Sequence, residues 1–423
     1  MSIPLDRLYH YIENIAEEVY GNPVLIYRFY PHGSKNLKDL QILKFYSWYD
    51  ETIIPGIYCN DQEPLDYNYY ENCSLEKSDS FFDGILTTVS LSKPKNFKRG
   101  MTIYDQAFLL HSEKRSQNLK KYEKNNYIPI YYWNHALLAI DWFRYANHTD
   151  IKKSSAKKFL IYNRAWTGTR EYRLKFVDLL VDYNLISECQ ISVAFTDQNL
   201  YYKNYNFKNI NWKPTHHLEQ YFDMNDALST SSADFVSEDY SATDIEIVLE
   251  TLFDDERLHL TEKSLRPIAC GQPFILAATY GSLKYLKNYG FKTFDDVFDE
   301  NYDLIQDPGE RLQAIVVLMK QISNWSIIEK QEKMRKLQKI ADYNKKHFFS
   351  DSFFNKITNE LKRNLLTAFT KFNSIKSCNQ WISKWDHLLS HESIIDFLKN
   401  NKEFGPTETQ IDIIYEKAKK YIK

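Results

Sequence analysis

The sequence predicts an α/β protein with two parallel-sheet domains and a helical C-terminal extension. Its 423 residues exceed one ordinary core and, at roughly 150 residues per domain, indicate two or three domains. Short apolar runs alternate with amphipathic segments up to Phe294, which is typical of helices that wrap parallel sheets. Beyond Phe294 the pattern is charged and helical. We therefore expect an N-terminal α/β domain over residues 1–155, a C-terminal α/β domain over 156–305 and a helical extension over 306–423.

The first half begins with a pattern that predicts an amphipathic helix over residues 5–20. Leu8, Ile12 and Ile15 recur at helical spacing between acidic residues, and Gly21 ends the run. Apolar stretches bounded by Pro, Gly, Asn and Asp then indicate a series of strands. The predicted strands cover residues 24–30, 57–59, 85–91, 107–111 and 128–133, and a predicted helix covers 136–145.

The second half repeats this alternation after a polar segment. Residues 150–158 are rich in Lys and Ser, so we place the domain boundary near residue 155. Strands are predicted at residues 158–162, 190–195, 233–237, 245–251 and 273–278, and helices at 170–183 and 262–269. The extension is predicted to consist of helices within residues 308–370 and 378–423.

Composition restricts the partners and the compartment. The formal net charge is −2, so the chain lacks the overall basic excess with which sequence-independent nucleic-acid binders neutralise phosphates. A local basic groove is compatible with a neutral total, so nucleic acid stays open as an acceptor.

The five cysteines contain no CxxC spacing and suit reduced thiols. Without a signal-peptide pattern or a run of about 20 apolar residues, we expect a cytoplasmic protein with no transmembrane segment.

The most informative stretch runs from residue 245 to residue 294. An apolar strand ends at Glu250, and after a polar loop Thr261, Glu262 and Lys263 open an amphipathic helix. Ligands collect outside the carboxyl ends of parallel strands, and a helix N-terminus there favours anions. A lysine in the first helical turn opposes the helix dipole, and a bound diphosphate is one reason for Lys263. An N-cap at Thr261 beside a surface lysine explains the pattern equally well.

This order of residues resembles the donor-binding segment of the family 10 glycosyltransferases, the α-1,3-fucosyltransferases. Glu250 matches the acid of the family's Phe-Glu-Asn segment, and Glu262 and Lys263 match its Glu-Lys pair. The resemblance implies that these residues contact the hydroxyls and phosphates of a GDP-sugar donor. Thr251 and Leu252 replace the family's Asn-Ser, and the following loop is longer. The identity of the donor sugar therefore stays open.

The resemblance also implies a fold and a phosphate-binding arginine. The family has two facing Rossmann-like domains of the GT-B type, with the donor in the C-terminal domain and a helical end that often returns across the first domain. In residues 159–180 an arginine is expected to reach the donor phosphates. Arg173 fits that spacing best, with Arg170 and Arg164 as rivals. A guanidinium suits this role because it stays charged and binds phosphate oxygens in a bidentate fork, although surface arginines explain the pattern as well.

Residues 57–66, IYCNDQEPLD, are similar to the family's strand followed by Gly-Glu-Asn and Pro. An inverting transferase uses a carboxylate to remove the proton of the acceptor hydroxyl. Glu63 is our first choice for this catalytic base and Asp61 the second. An acid before proline is also a common turn residue, so a purely structural role stays open.

Other chemistries find less support in the sequence. Neighbouring acids such as Asp254 and Asp255 point apart on a strand, and His216-His217 with Glu219 lacks the HExxH spacing, so we expect chemistry without a divalent metal. The 11 glycines form neither GxGxxG nor a P-loop, which argues against a kinase, an NTPase or a classical dehydrogenase. His111 and His135 follow predicted strands and are expected as packing residues near the cleft.

The leading hypothesis is an inverting glycosyltransferase that needs no cofactor besides its nucleotide-sugar donor and acts on a hydroxyl acceptor. That acceptor is a glycan, a lipid-linked glycan, a protein or, for a chain of viral origin, a modified DNA base. The alternative is a non-catalytic nucleotide- or carbohydrate-binding protein on the same fold. The two differ in whether a carboxylate of the first half reaches the anomeric carbon.

Overall fold

The computed structural model describes residues 5–21, 24–27, 46–48, 52–54, 56–65, 102–103, 107–124, 127–222 and 234–385. Within 374–385 the description is limited to the helical backbone. The predicted strand at 85–91 and the part of the extension beyond residue 385 lie outside the described residues.

A first parallel sheet of four strands is built from the N-terminal part of the chain, in the order β1-β4-β6-β7. Its pairings are all parallel, and Phe108 and Leu110 of β6 are fully buried. The amphipathic helix α1 (Leu5–Tyr20) buries Leu8 and Ile12, as its sequence spacing predicts. The four strands are β1 (Leu25–Tyr27), β4 (Gly56–Cys59), β6 (Ala107–His111) and β7 (Tyr127–Tyr131).

The strands not yet named form small antiparallel pairings. The strands β2 (Tyr46–Trp48), β3 (Thr52–Ile54) and β5 (Thr102–Ile103) make a three-stranded sheet in the order β3-β2-β5. The strands β10 (Thr196–Asp197) and β11 (Leu200–Tyr201) pair as a hairpin.

A second parallel sheet of four strands is built from the part of the chain after residue 156, in the order β13-β12-β8-β9. Every residue of its inner strand β12 is buried, which is typical of parallel strands covered on both faces. The four strands are β8 (Lys157–Asn163), β9 (Cys189–Val193), β12 (Thr243–Leu249) and β13 (Phe274–Ala277).

Helices connect and cover the strands. The helix that follows β12 begins where the Thr261 side chain accepts a hydrogen bond from the Lys263 amide, and it ends at Gly271, whose φ of 68° is the left-handed conformation of a helix C-terminus. The helices of the α/β part after α1 are α2 (Gln117–Lys124), α3 (Asn134–Trp142), α4 (Tyr172–Asp182), α5 (Ser237–Ala242), α6 (Glu262–Cys270) and α7 (Ser282–Asn288).

The chain then forms the C-terminal helices α8 (Pro308–Ser323), α9 (Ile327–Phe348) and α10 (Asp351–Trp385). Ser326 and Glu329 form a reciprocal capping box at the start of α9. None of the helices in the described part of the chain is both long enough and apolar enough to cross a bilayer.

Helix α10 packs against the first sheet and helix α1. The ring of Phe369 lies 4.9 Å from that of Phe108 on β6 and 4.8 Å from that of Tyr20 on α1. Asn364 Nδ2 donates to the carbonyl of Tyr131 at 2.7 Å. The helical extension thus returns across the first half, as predicted for part of it.

The predicted α/β class with parallel sheets and a C-terminal helical region is confirmed, whereas the GT-B arrangement and the domain limits stay predictions. The strand predicted at 233–237 is wrong. Residues 234–236 have no regular structure, and Ser237–Ala242 is helical. Glu238 and Asp239 in the first turn favour a helix start there. The short helices α2 and α7 were not predicted from the sequence.

Candidate active site

The carboxyl ends of strands from both sheets meet along one junction, which we call the seam. It consists of residues 60–65, 111–116 and 132–135 from the first half, and residues 250–263 from the second. Lys114 and Leu258 exchange two backbone hydrogen bonds of 2.9 Å across it, and Trp133 Nε1 donates to the Leu260 carbonyl at 3.0 Å. The edge at which α/β proteins bind ligands is therefore shared by the two halves.

Asp61, the second choice for the catalytic base, is fully buried at the seam. Tyr132 donates a short hydrogen bond to its Oδ2, and Asn134 Nδ2 donates to the same oxygen at 2.9 Å. The Asp61 carbonyl accepts from Ser112 Oγ at 2.5 Å. Asp61 therefore connects the loops that follow β4, β6 and β7.

Glu63, the first choice for the base, is much more accessible than Asp61. Its side chain is 46% exposed, and its Oε2 lies 3.6 Å from Arg170 Nη2. This ion pair joins the loop after β4 to the loop after β8. The predicted base thus lies beside one of the arginines predicted to bind phosphate.

Arg257 links the loop after β12 to the first half at another point of the seam. Its Nη1 donates to the Leu65 carbonyl at 2.9 Å and to Glu113 Oε1 at 3.2 Å, and its Nη2 donates to Asp255 at 2.7 Å. Burial raises the pKa of Glu113, and the neighbouring Arg257 opposes that rise.

Glu250 is entirely buried and is held by the start of helix α6. Its carboxylate accepts from the amide and hydroxyl of Thr261 at 3.0 and 2.8 Å, and from those of Ser264 at 3.2 and 2.5 Å. The Thr251 amide donates as well, at 3.1 Å. This carboxylate, predicted to accept ligand hydroxyls, satisfies first-turn donors of α6 and fixes that helix to the end of β12.

Arg173, the first choice among the arginines, is buried and bound to backbone carbonyls. It donates to Ala165 at 2.5 Å, to Leu249 at 2.6 Å and to Glu250 at 3.1 Å. Burial lowers its pKa from the ordinary arginine value. It therefore ties the ends of β8 and β12 together, whereas the side chain of Arg170 is 24% exposed and Arg164 is an exposed residue.

The predicted Glu-Lys pair lies at the seam. Lys263 Nζ contacts Glu262 Oε1 at 2.7 Å and Thr261 Oγ1 at 3.2 Å, and its side chain is 21% exposed. The other oxygen of Glu262 lies 3.4 Å from His135 Nε2, in the loop after β7. Glu262 thus joins the cation at the start of α6 to the first half.

Three histidines are buried at the seam, and the sequence did not single them out as site residues. His111 and His135 were expected as packing residues, and His259 belongs to no recognisable motif. Desolvation by burial lowers their pKa values, to about 3 for His111, about 4 for His135 and about 3 for His259. All three imidazoles are therefore neutral near pH 7.

No model of a known protein family matches this chain. A comparison with curated proteins finds no match either. What indicates a function is therefore the residues themselves, the geometry of the seam and the local resemblance around Glu250, Glu262 and Lys263.

One group of possible metal ligands occurs in the described part of the chain, outside the residues of the seam, at Asp178, Asp182 and His216. His216 Nδ1 lies 2.9 Å from Asp178 Oδ1, and Lys175 Nζ lies 2.6 Å from Asp178 Oδ2. Thr215 also donates to both oxygens, through its amide and hydroxyl. These donors occupy Asp178, so the group fits a tie between α4 and residues 215–216. Chemistry without a metal stays a prediction.

Proposed function

We propose that the protein is a glycosyltransferase that moves a sugar from a nucleotide-sugar donor to an acceptor hydroxyl with inversion. The observation that carries this proposal is the seam, where the carboxyl edges of two parallel sheets meet. Arg170 of the second half there approaches Glu63 of the first, and Lys263 is paired with Glu262, whose other oxygen faces His135 of the first half. Cationic groups suit a donor diphosphate, and a carboxylate suits proton removal from an acceptor.

The donor half of the proposal uses two kinds of residue. Lys263 at the start of α6 and Arg170 after β8 would neutralise the diphosphate, with Arg164 as a further exposed cation. Glu250 and Arg173 would act indirectly, because their hydrogen bonds hold α6, β8 and β12 in place. The local resemblance favours a GDP-sugar as the donor.

The acceptor half of the proposal gives the base to Glu63. The acceptor oxygen attacks the anomeric carbon, the bond from that carbon to the phosphate oxygen breaks, and the nucleoside diphosphate leaves. Glu63 takes the proton of the acceptor hydroxyl. Its exposed carboxylate can reach an acceptor, whereas the Asp61 carboxylate is buried and already accepts hydrogen bonds from Tyr132 and Asn134.

A second candidate function is a protein that binds a nucleotide sugar without turnover. The ion pair of 3.6 Å between Glu63 and Arg170 favours it, because Arg170 already contacts the carboxylate that would take the acceptor proton. Both candidates share the nucleotide site and differ only in chemistry at the acceptor.

A two-step experiment tests both candidates. Thermal unfolding is first measured with GDP-, UDP-, TDP- and CMP-sugars, since a ligand at 100 times its Kd stabilises by about 2.7 kcal/mol. Release of the nucleoside diphosphate is then measured with the stabilising donor and a panel of glycan, lipid-linked, protein and DNA acceptors. Stabilisation with acceptor-dependent release supports the transferase, and stabilisation without release supports the binding protein. If no nucleotide sugar stabilises the protein, both proposals fail.

A further inference from the structure

Six buried polar atoms of the seam residues lack hydrogen-bond partners among the described residues, and three of them belong to His111, Glu113 and Ser116. The other three are His135 Nδ1, His259 Nε2 and Asn134 Oδ1. The three residues are only 5%, 2% and 0% exposed, and the two imidazole rings lie 5.3 Å apart. Buried polar atoms are normally paired, because leaving one unpaired costs free energy. Three such atoms in one cluster therefore point to a ligand.

The partners of the other polar atoms define what these three atoms offer. Ser112 Oγ donates its hydrogen to the Asp61 carbonyl and can therefore only accept from His259 Nδ1, which lies 3.1 Å from Ser112 Oγ. His259 Nδ1 thus carries the proton of the imidazole. His135 Nε2 faces a carboxylate oxygen of Glu262 and carries its proton for the same reason. Both histidines therefore keep a lone pair on the atom that lacks a partner, and Asn134 Oδ1 is a third acceptor.

The charge of this cluster selects the class of ligand. The pKa values of about 4 for His135 and about 3 for His259 keep both rings neutral. The Glu262 carboxylate beside His135 is paired with Lys263 at 2.7 Å, so the three atoms offer acceptors and no free positive charge. Such acceptors suit hydroxyl donors, whereas an ionised carboxylate brings only further acceptors. An uncharged molecule rich in hydroxyl groups meets these requirements.

We infer that His135, His259 and Asn134 form the subsite for an uncharged sugar of the nucleotide-sugar donor, each accepting a hydrogen bond from a sugar hydroxyl. The inference rests on the proposed function, because the diphosphate at Lys263 is what brings the sugar to the seam. Glu262 contacts both Lys263 and His135 and so joins the diphosphate site to the sugar subsite. The donor sugar is therefore a neutral sugar with free hydroxyl groups, not a uronic or sialic acid.

The closed seam covers the three acceptor atoms, so the sugar enters when residues 251–261 separate from the first half. Two backbone hydrogen bonds between Lys114 and Leu258 and that from Trp133 to Leu260 hold this segment in place. The contacts of Arg257 with Leu65 and Glu113, and of His259 with Ser112, add to them. These contacts break when the segment opens and re-form around the ligand.

Calorimetry on the full chain tests the inference with pairs of ligands that share a nucleotide. The unmodified protein, His135→Phe and His259→Phe are each titrated with the nucleoside diphosphate and with its neutral nucleotide hexose. The exposed His217 gives the matched control, His217→Phe. Phenylalanine keeps a ring and has no acceptor atom. We expect the two seam variants to bind the nucleotide hexose about tenfold more weakly and the diphosphate unchanged, since one hydrogen bond is lost from the sugar alone.

A second measurement uses the unmodified protein and so does not depend on the folding of a variant. Neutral nucleotide sugars should bind at least tenfold more tightly than nucleotide uronic or sialic acids. Equal affinity for neutral and acidic sugars, or seam variants that fold and bind the nucleotide hexose like the control, would overturn the sugar subsite and leave the proposed function standing. Failure of the unmodified protein to bind any nucleotide or nucleotide sugar would overturn the proposed function first.

Discussion

At the scale of single residues, polar groups at the ends of buried strands have two possible partners, the protein or a ligand. Glu250 and Arg173 illustrate this, because their sequence positions fit ligand contacts and their hydrogen bonds all go to the protein. A sequence shows that a carboxylate ends a strand, but the donors that saturate it come from residues 11 to 14 positions away. Lys263, Glu63, Arg170 and Arg164 are the predicted residues whose side chains stay accessible enough for direct roles.

Replacing Lys263 with alanine tests the diphosphate site. Its Nζ contacts Glu262 and Thr261 next to it in sequence, so the free energy of unfolding should change by less than about 1 kcal/mol. A charge-assisted phosphate contact contributes about 1.5–3 kcal/mol, so diphosphate affinity should fall by roughly ten- to a hundredfold. Titration calorimetry and thermal unfolding measure the two effects. A variant that binds like the parent and unfolds several degrees lower would make Lys263 a structural cap.

Replacing Glu63 with glutamine tests the catalytic base. The amide keeps the size of the side chain and cannot take a proton, so turnover should fall by on the order of a hundredfold or more. Donor affinity should stay near that of the parent. The control is Glu18→Gln, which alters another exposed carboxylate paired with a cation, Lys362 at 2.8 Å. Single-turnover kinetics and calorimetry separate the two quantities, and equal turnover in both variants would remove Glu63 from the mechanism.

At the scale of elements, the sequence was most informative where a strand is buried on both faces. The run of β12 is apolar enough to be recognised, and α6 is marked by Thr261 at its start and Gly271 at its end. Short segments were predicted least well, as in the wrong strand at 233–237 and the missed helix α7 (Ser282–Asn288). In such segments the spacing of apolar residues repeats too few times to distinguish a strand from a helix. The family resemblance predicted that part of the C-terminal helical extension packs across the first half. Which residues of α10 contact the first sheet could be seen only in the structure.

Replacing Phe369 with alanine tests the packing of α10 on the first half. Phe369 is 2% exposed and contacts Phe108 and Tyr20, so its truncation should lower the free energy of unfolding by about 3–5 kcal/mol. Leu366 on the same helix is 56% exposed and gives the control Leu366→Ala, which should cost less than about 1 kcal/mol. Urea denaturation followed by circular dichroism measures both. Similar losses for the two variants would show that α10 does not use this face.

At the scale of the whole molecule, the seam is formed by residues far apart in the sequence. Ser112 and His259 are 147 positions apart, and His135 and Glu262 are 127 apart by their numbering. Each loop was placed after a strand by the sequence, because strand ends can be recognised locally. Which loops face one another depends on how the two sheets are oriented, and no local pattern contains that information. The buried histidines of the candidate site therefore could not be predicted as a group.

The same histidines make the stability of the molecule depend on pH. Their folded pKa values of about 3 to 4 lie below the ordinary value of 6.5, so the unfolded chain binds protons that the folded chain does not. The contribution of these neutral histidines to the free energy of unfolding is complete above pH 6.5 and is lost as the pH falls towards 4. Each histidine contributes a slope approaching about 1.4 kcal/mol per pH unit in that window.

Other groups titrate in the same range, so the contribution of the histidines is best measured as a difference between variants. Burial raises the pKa of Asp303 to about 7, which adds stability as the pH falls and opposes the histidines. Urea denaturation at pH 7.5, 6.0 and 5.0 should therefore show a smaller loss of stability for His259→Gln and for His135→Gln than for the unmodified protein, whereas His217→Gln should match it. Glutamine carries no titratable proton, so each seam variant should flatten the curve by up to about 1.4 kcal/mol per pH unit. Curves that stay parallel from pH 7.5 to 5.0 would mean that His135 and His259 are hydrated in solution, and that the seam is open without a ligand.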